Sequence, residues 1–210
     1  QMYNIENKGH DMGFLKKFMM ENAGAAAVKR LVEKLGDVES KNILIFVGLG
    51  NNGGDGFVIA RHLFQLKANV TILLAGKLSD LKDNAKTNAL SVQKLDIPIQ
   101  ELNSENINSF DRKLRHCDII VDALFGTGLS KPATGIIESI INKINHLKKF
   151  TISVDINSGI DADSGLLIGP YVYSDITFAL ASMKNSHLIH PAAGVTKKVK
   201  LLDIGIPQES

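Results

Sequence analysis

Three strings in this chain combine glycines with side chains that can bind or move charge. The first is Gly48-Leu49-Gly50-Asn51-Asn52-Gly53-Gly54-Asp55-Gly56, directly after the apolar run Ile43–Val47. Its spacing satisfies G-x-G-x-x-G, the turn that cradles a dinucleotide pyrophosphate when it joins a strand to a helix. Two features oppose an ordinary dehydrogenase. The next strand closes on Leu74-Ala75-Gly76-Lys77, with no carboxylate for a ribose. Asp55 also puts negative charge where a helix start would receive phosphate. The string does offer amide oxygens, amide hydrogens and one carboxylate, on a turn where asparagine tolerates left-handed backbone and glycine permits close approach to a ligand. The plainer alternative is a tight turn with Asp55 as a helix cap.

The second string is Val121-Asp122-Ala123-Leu124-Phe125-Gly126-Thr127-Gly128-Leu129-Ser130-Lys131-Pro132. Backbone amides at Gly126–Gly128, hydroxyls at Thr127 and Ser130, and the Lys131 cation suit a phosphate. The order of residues is not that of a Walker loop. The third string, Ser153-Val154-Asp155-Ile156-Asn157-Ser158-Gly159, again ends a strand on an acid. Asp122 and Asp155 are therefore expected at equivalent strand ends, facing the crevice where parallel sheets bind ligands. His187 and His190 have no third partner for zinc, Cys117 reads as a buried thiol, and Lys197, Lys198 and Lys200 read as a solvated face or edge protection.

Such loops need a parallel sheet to carry them. Short β-branched apolar runs at 42–47, 69–75, 97–101, 118–123, 150–155, 176–181 and 199–204 predict seven strands. Helical periodicity is clearest at 14–35, 56–66, 80–95 and 135–147. In the first helix Leu15, Phe18, Met19, Leu31, Val32 and Leu35 should share the buried face. Strand and helix alternate, so the expected fold class is α/β, a three-layer α/β/α sandwich of Rossmann-like type on a mostly parallel sheet. Residues 1–210 read as one domain. The formal net charge of +2 is too small to argue for nucleic acid or an anionic membrane as partner. No apolar run nears the roughly 20 residues that span a bilayer, no secretory signal is visible, and the single cysteine fits a reducing compartment, so cytoplasm is expected. Gln1 ahead of Met2 has the look of an added residue.

Five strings together resemble the NAD(P)H-hydrate epimerases, the family built on the YjeF N-terminal domain. They are Met20-Glu21-Asn22-Ala23-Gly24, Asn51 to Gly56, Val121 to Gly128, Val154-Asp155-Ile156-Asn157-Ser158-Gly159, and Asp203-Ile204-Gly205-Ile206-Pro207, in the family's order. The resemblance implies an isomerase that interconverts the R and S forms of hydrated NADH and NADPH. It implies a homodimer with one potassium ion per subunit, working beside an NAD(P)H-hydrate dehydratase whose domain has no counterpart in these residues. By matching position, Asn51, Asn52, Gly53, Gly54 and Asp55 would contact the substrate. Gly126, Thr127, Gly128, Leu129, Ser130, Lys131 and Pro132 would hold its phosphates. Asp155 would bind the hydrated nicotinamide riboside part, and Asn52, Asp122 and Ser158 would ligate potassium. The family usually has proline where this chain has Asn157, so the turn presenting Ser158 is expected to be less rigid. The string Lys184-Asn185-Ser186-His187 also departs from the family's common pattern, as loop detail.

The residue chemistry is compatible with that implication. Amide, hydroxyl and carboxylate oxygens suit a large, weakly polarising cation. For the reaction, Asp155 is the expected proton-transfer group: protonating the hydroxyl would let it leave, the ring nitrogen would stabilise the cation, and water could return to either face. Two other functions remain open on sequence. One is a non-catalytic nucleotide- or protein-binding module on the same fold; the other is a hydride-transferring oxidoreductase.

Overall fold

The structure is a computed structural model that describes residues 15–129 and 131–206. Phe14, Ser130 and Pro207, which belong to expected features, lie outside the described residues. The element order is α1 Lys16–Leu35, β1 Asn42–Val47, α2 Asn51–Gln65, β2 Asn69–Leu74, α3 Asp83–Gln93, β3 Ile99–Glu101, α4 Asp111–His116, β4 Ile119–Ala123, α5 Ile136–Leu147, β5 Phe150–Val154, β6 Ile176–Leu180 and β7 Val199–Leu202. All seven expected strands are present and pair in parallel, in the order β3-β2-β1-β4-β5-β6-β7. The chain winds outward from β1 through β2 to β3, then returns to β4 on the other side of β1. The winding direction therefore switches between β1 and β4, and parallel sheets open a ligand crevice at the carboxyl ends of strands at such a point.

The central strands are apolar on both faces because both are covered. Ile43, Ile45 and Val47 of β1 join a core with α1, α2 and α3, including Phe57, Leu63 and Val92. Leu44 and Phe46 point to the opposite face and pack with Ile140, Ile141 and Ile144 of α5. The two clusters are the inner surfaces of a three-layer sandwich.

Two helices differ from expectation in instructive ways. In α1 the buried stripe is Met19, Met20, Ala23, Gly24, Ala27, Val28 and Leu31, whereas Phe18 is 55% exposed and Leu15 is also exposed. Small residues define this face because α1 lies close against α2: a Cβ on Gly24 would stand 2.4 Å from Val58 Cγ1. Glu21 fastens the same contact, accepting from Arg61 and pairing with His62 at 2.8 Å. Burial alone would push the Glu21 carboxyl up, but the hydrogen bonds from His62 and Arg61 outweigh it and hold the group below its ordinary range. α1 ends at Gly36, whose φ of 83° lets its N–H return to Val32 O at 2.8 Å.

The second difference concerns α2. It begins at Asn51, not at Gly56, so the glycine–asparagine string is the helix's first two turns rather than a free loop. No residue from Asn51 to Gly56 has positive φ. These glycines serve close packing instead of left-handed turning. A Cβ on Gly53 would sit 2.0 Å from Gly48 O, and one on Gly56 would meet Val47 and Ala123 at 2.7 and 2.9 Å. The short α4 was not expected; six residues are too few to show a period.

Candidate active site

A cleft of about 690 Å³ opens at the carboxyl ends of β1 and β4. Its lining includes Gly48 to Asn52 and Asp55 from the start of α2, and Leu124 to Leu129 after β4. Asp155 stands after β5, while Met19, Met20 and Ala23 of α1 and Ile204 near the chain end form an apolar wall. Gly50 caps α2 without a side-chain hydrogen bond. The first amides of α2 thus begin at the cleft, where a helix start favours anionic ligand groups. Asp55 is buried one turn further on and also lines the cleft, so it does not cap the helix.

Below this cleft three strand-end segments are stitched together around Asp122. That carboxylate is 0% exposed and does not line the cleft. It accepts from Ser158 Oγ at 2.5 Å, Ser153 Oγ at 2.9 Å, Ser158 N at 3.0 Å and Leu124 N at 3.3 Å. All four donors are neutral. Burial pushes its pKa up from the ordinary carboxylate value, against the opposing pull of the Ser158, Ser153 and Leu124 hydrogen bonds. Ser158 Oγ in turn accepts from Phe125 N at 3.0 Å, and Phe125 O accepts from Asn52 Nδ2 at 2.8 Å. Asn52 is 7% exposed, and its Oδ1 is buried with no hydrogen-bond partner among the described residues. A buried amide oxygen without a partner is costly, and so is a fully buried carboxyl with only neutral donors; a cation taken up by both would offset the two costs.

Asp122 and Asp155 are not equivalent, contrary to expectation. Asp122 lies within β4, opposite Ser153 of β5. Asp155 lies two residues beyond that level, past the end of β5, with φ of 64°. A non-glycine residue held there stores strain of about 1–3 kcal/mol, a cost that clusters at functional positions. Surrounding bonds impose it. Asp155 N donates to Phe178 O at 2.8 Å, and Leu180 N donates to Asp155 Oδ1 at 3.1 Å. Lys184 Nζ forms an ion pair with the same oxygen. Asp155 Oδ2 has no protein partner among the described residues.

Lys184 and His187, read from the sequence as loop detail and as a histidine without zinc partners, belong to the site. Both are buried. His187 Nδ1 accepts from Lys184 N at 3.1 Å, which leaves the ring proton on Nε2 for Asp155 O at 2.9 Å. Burial lowers the His187 pKa, helped by the nearby Lys184 charge and opposed by Asp155. The available signal was position: Lys184 follows β6 by four residues, on the sheet edge where the cleft lies.

Asn157 likewise departs from the expected looseness. Its Nδ2 donates to Val172 O at 2.9 Å and Ser174 Oγ at 2.8 Å, and its Oδ1 accepts from Thr177 Oγ1 at 2.6 Å. Three buried hydrogen bonds fix the turn that a proline ring would preset. Of the second glycine string, Gly126 to Leu129 line the cleft; Lys131 and Pro132 are exposed and do not. Cys117 is buried, its thiol pushed up to about 11 chiefly by desolvation.

Comparison with known proteins agrees with this fold. Residues 16–186 match the family model described as YjeF-related protein N-terminus. The chain is 48% identical to a Nitrosopumilus maritimus protein named NAD(P)H-hydrate epimerase, over 100% of this chain and 95% of that one. A Cenarchaeum symbiosum protein of the same name is 40% identical over the same shares. A Moorella thermoacetica protein named bifunctional NAD(P)H-hydrate repair enzyme Nnr is 38% identical, over 91% of this chain but 36% of its own length. Among solved structures, the yeast protein ynu0 superposes with a TM-score of 0.75 at 25% identity, covering 90% of this chain and 80% of that one.

Proposed function

The chain belongs to the YjeF-related N-terminal family, and from that premise we propose that it is an NAD(P)H-hydrate epimerase, an isomerase of nicotinamide nucleotide repair that interconverts the R and S forms of hydrated NADH and NADPH. The observation that carries the proposal is the end-to-end likeness to relatives of that name in two organisms. The cleft supports it, being large enough for a nucleotide and having one strained carboxylate with an open oxygen on its wall.

In this reading the first α2 amides, Asn51–Gly53, and the Gly126–Leu129 segment hold the nucleotide, with Ser130, Lys131 and Pro132 continuing the phosphate loop. Gly54, whose N–H is bonded to Gly50 O at 3.1 Å, is packed behind them. Asp55 contacts the substrate from the second turn of α2. Asp155 is the catalytic residue: it stands where the hydrated ring would lie and moves the proton of its hydroxyl. Binding energy from the phosphates positions the ring against it. A module relieved of catalysis would have no physical reason to keep Asn52 and Asp155 on the cleft and the bonded pair Asp122 and Ser158 buried beneath it.

A potassium ion fits the residues beneath the cleft. Asn52 would give its orphaned Oδ1, Asp122 its buried charge and Ser158 its hydroxyl oxygen. When bound, the ion would neutralise Asp122 and stiffen the three loops it joins. We further infer a homodimer, a cytoplasmic setting, one domain over residues 1–210, and a dehydratase that consumes the S form. The Moorella relative's longer chain and its name as a bifunctional repair enzyme support that last pairing. Among the described residues no helix is long and apolar enough to cross a membrane.

The test supplies the R-hydrate with an S-specific dehydratase and follows recovery of NAD(P)H absorbance. The protein should accelerate recovery, more so with potassium. No acceleration under either condition would overturn the epimerase reading and favour the binding module.

A further inference from the structure

We propose that Lys184 is a positioning residue for the reaction, and that its ion pair makes Asp155 take a proton from the substrate hydroxyl before giving one back. The inference rests on the epimerase reading above. Lys184 Nζ reaches Oδ1 of Asp155 from a buried position and also donates to Leu180 O at 2.7 Å. Leu180 N donates to the same Oδ1 at 3.1 Å. Both donors thus claim one carboxylate oxygen, and the other is left to the cleft. His187 binds the two partners together through Lys184 N and Asp155 O. A lysine this buried is tolerated only because it is paired and hydrogen-bonded.

A carboxylate facing an ammonium presents lone pairs, not a proton, to a ligand. The dehydration route expected from sequence asks the opposite of it, a proton for the hydroxyl in the first step. The substrate permits another order. Its hydroxyl sits on the carbon bonded to the ring nitrogen, which makes it a hemiaminal. Asp155 Oδ2 takes the O–H proton, the C–O bond becomes C=O, and the C–N bond breaks. The electron pair of that bond goes to the nitrogen, which is conjugated through the remaining ring double bond to the carboxamide. Asp155 then gives the proton to the nitrogen. Rotation about the neighbouring C–C bond presents the other face of the aldehyde, and the same moves in reverse close the ring as the other epimer. No atom is gained or lost, and the hydroxyl oxygen never leaves its carbon.

Water labelled with heavy oxygen tests the order of steps on the wild-type protein. Epimer exchange, separated by chromatography and weighed by mass spectrometry, should carry label into product no faster than the uncatalysed background. One solvent oxygen gained per epimerisation would overturn the proposal while leaving the epimerase reading intact; no epimerisation at all would sink both. Lys184→Met should lower kcat about 100-fold with KM held within about threefold, and Lys184→Arg should recover roughly a tenth of the wild-type rate by restoring the charge. A Lys184→Met protein with wild-type kcat, or one that loses only KM, overturns the positioning role. Should that variant fail to fold, the arginine variant and the labelling of wild type decide the matter.

Discussion

Asn52 gives its amide hydrogens to the carbonyl of Phe125 at 2.8 Å and keeps its own carbonyl oxygen buried and unpartnered. The bond ties the start of α2 to the loop after β4, whose Phe125 N is itself held by Ser158 Oγ at 3.0 Å. Potassium should therefore raise the melting temperature above that measured in an equal concentration of a bulky organic cation. At 100 times its dissociation constant a ligand adds about 2.7 kcal/mol. Asn52→Leu should erase the increment. Equal melting curves for the wild type in both salts would count against the ion site.

The same increment should depend on pH. Burial raises the Asp122 pKa above its ordinary value, so on acidification the native protein binds a proton there before the unfolded chain does. This group's contribution to stability falls as pH rises through that window, where the folded state must carry the bare charge. A cation relieves that charge only once it exists. The potassium-dependent gain should be larger at higher pH and shrink on acidification earlier than an ordinary carboxylate would take up its proton. A gain independent of pH would exclude Asp122 from the site.

Asp155→Asn removes the proton acceptor while keeping the size of the side chain. Epimerisation should fall by about 10²–10⁴-fold, with nucleotide affinity retained in a titration followed by calorimetry. A near-wild-type rate would dismiss Asp155 as the catalytic group.

His187 sets an acid limit on stability. Its folded pKa is lowered chiefly by burial, so below about 6.5 the unfolded chain takes up a proton that the native state refuses. The stability associated with the neutral ring is present above that value and is lost as pH falls. His187→Gln should flatten the melting-temperature profile on the acid side, at a cost of about 1–3 kcal/mol from the broken strut. An unchanged acid slope would show that other groups govern it.

Glycines of the two loop strings divide by what surrounds them. Gly53→Ala drives a methyl group into Gly48 O and should cost about 1–3 kcal/mol or more. Gly128→Ala meets nothing within 4 Å and should change stability by less than about 0.5 kcal/mol. Paired denaturant curves measure both, and similar losses would show that crowding is not what Gly53 avoids.

The contrast between Gly53 and Lys184 marks how far sequence reading reaches here. All seven strands were legible because β-branched runs between turn residues have few other uses, as in Ile43–Val47. Glycine within Asn51–Gly56 was visible as unusual, yet its reason was not. Nothing local distinguishes a glycine that turns from one that lets a helix touch a strand. The α1 stripe failed for the same cause: Ala23, Gly24 and Ala27 are buried by a neighbour that hydropathy does not reveal. Asp155 could be suspected from its strand end, whereas its partner Lys184 is 29 residues away and meets it only through the β5–β6 pairing. Asn157 looked like a loss of rigidity because the three residues that bind it are scattered from 172 to 177.

The apolar wall of the cleft joins the two ends of the described chain. Met19, Met20 and Ala23 come from α1, Ile204 follows β7, and Asn22 Nδ2 holds Ile204 O at 3.0 Å. During synthesis the first of these parts leaves the ribosome long before the last. A chain that has emerged only as far as β4 carries the α1 part of the wall and still lacks Ile204. The wall is complete only when the segment after β7 is held against α1, so the cleft depends on a contact between residues 182 positions apart.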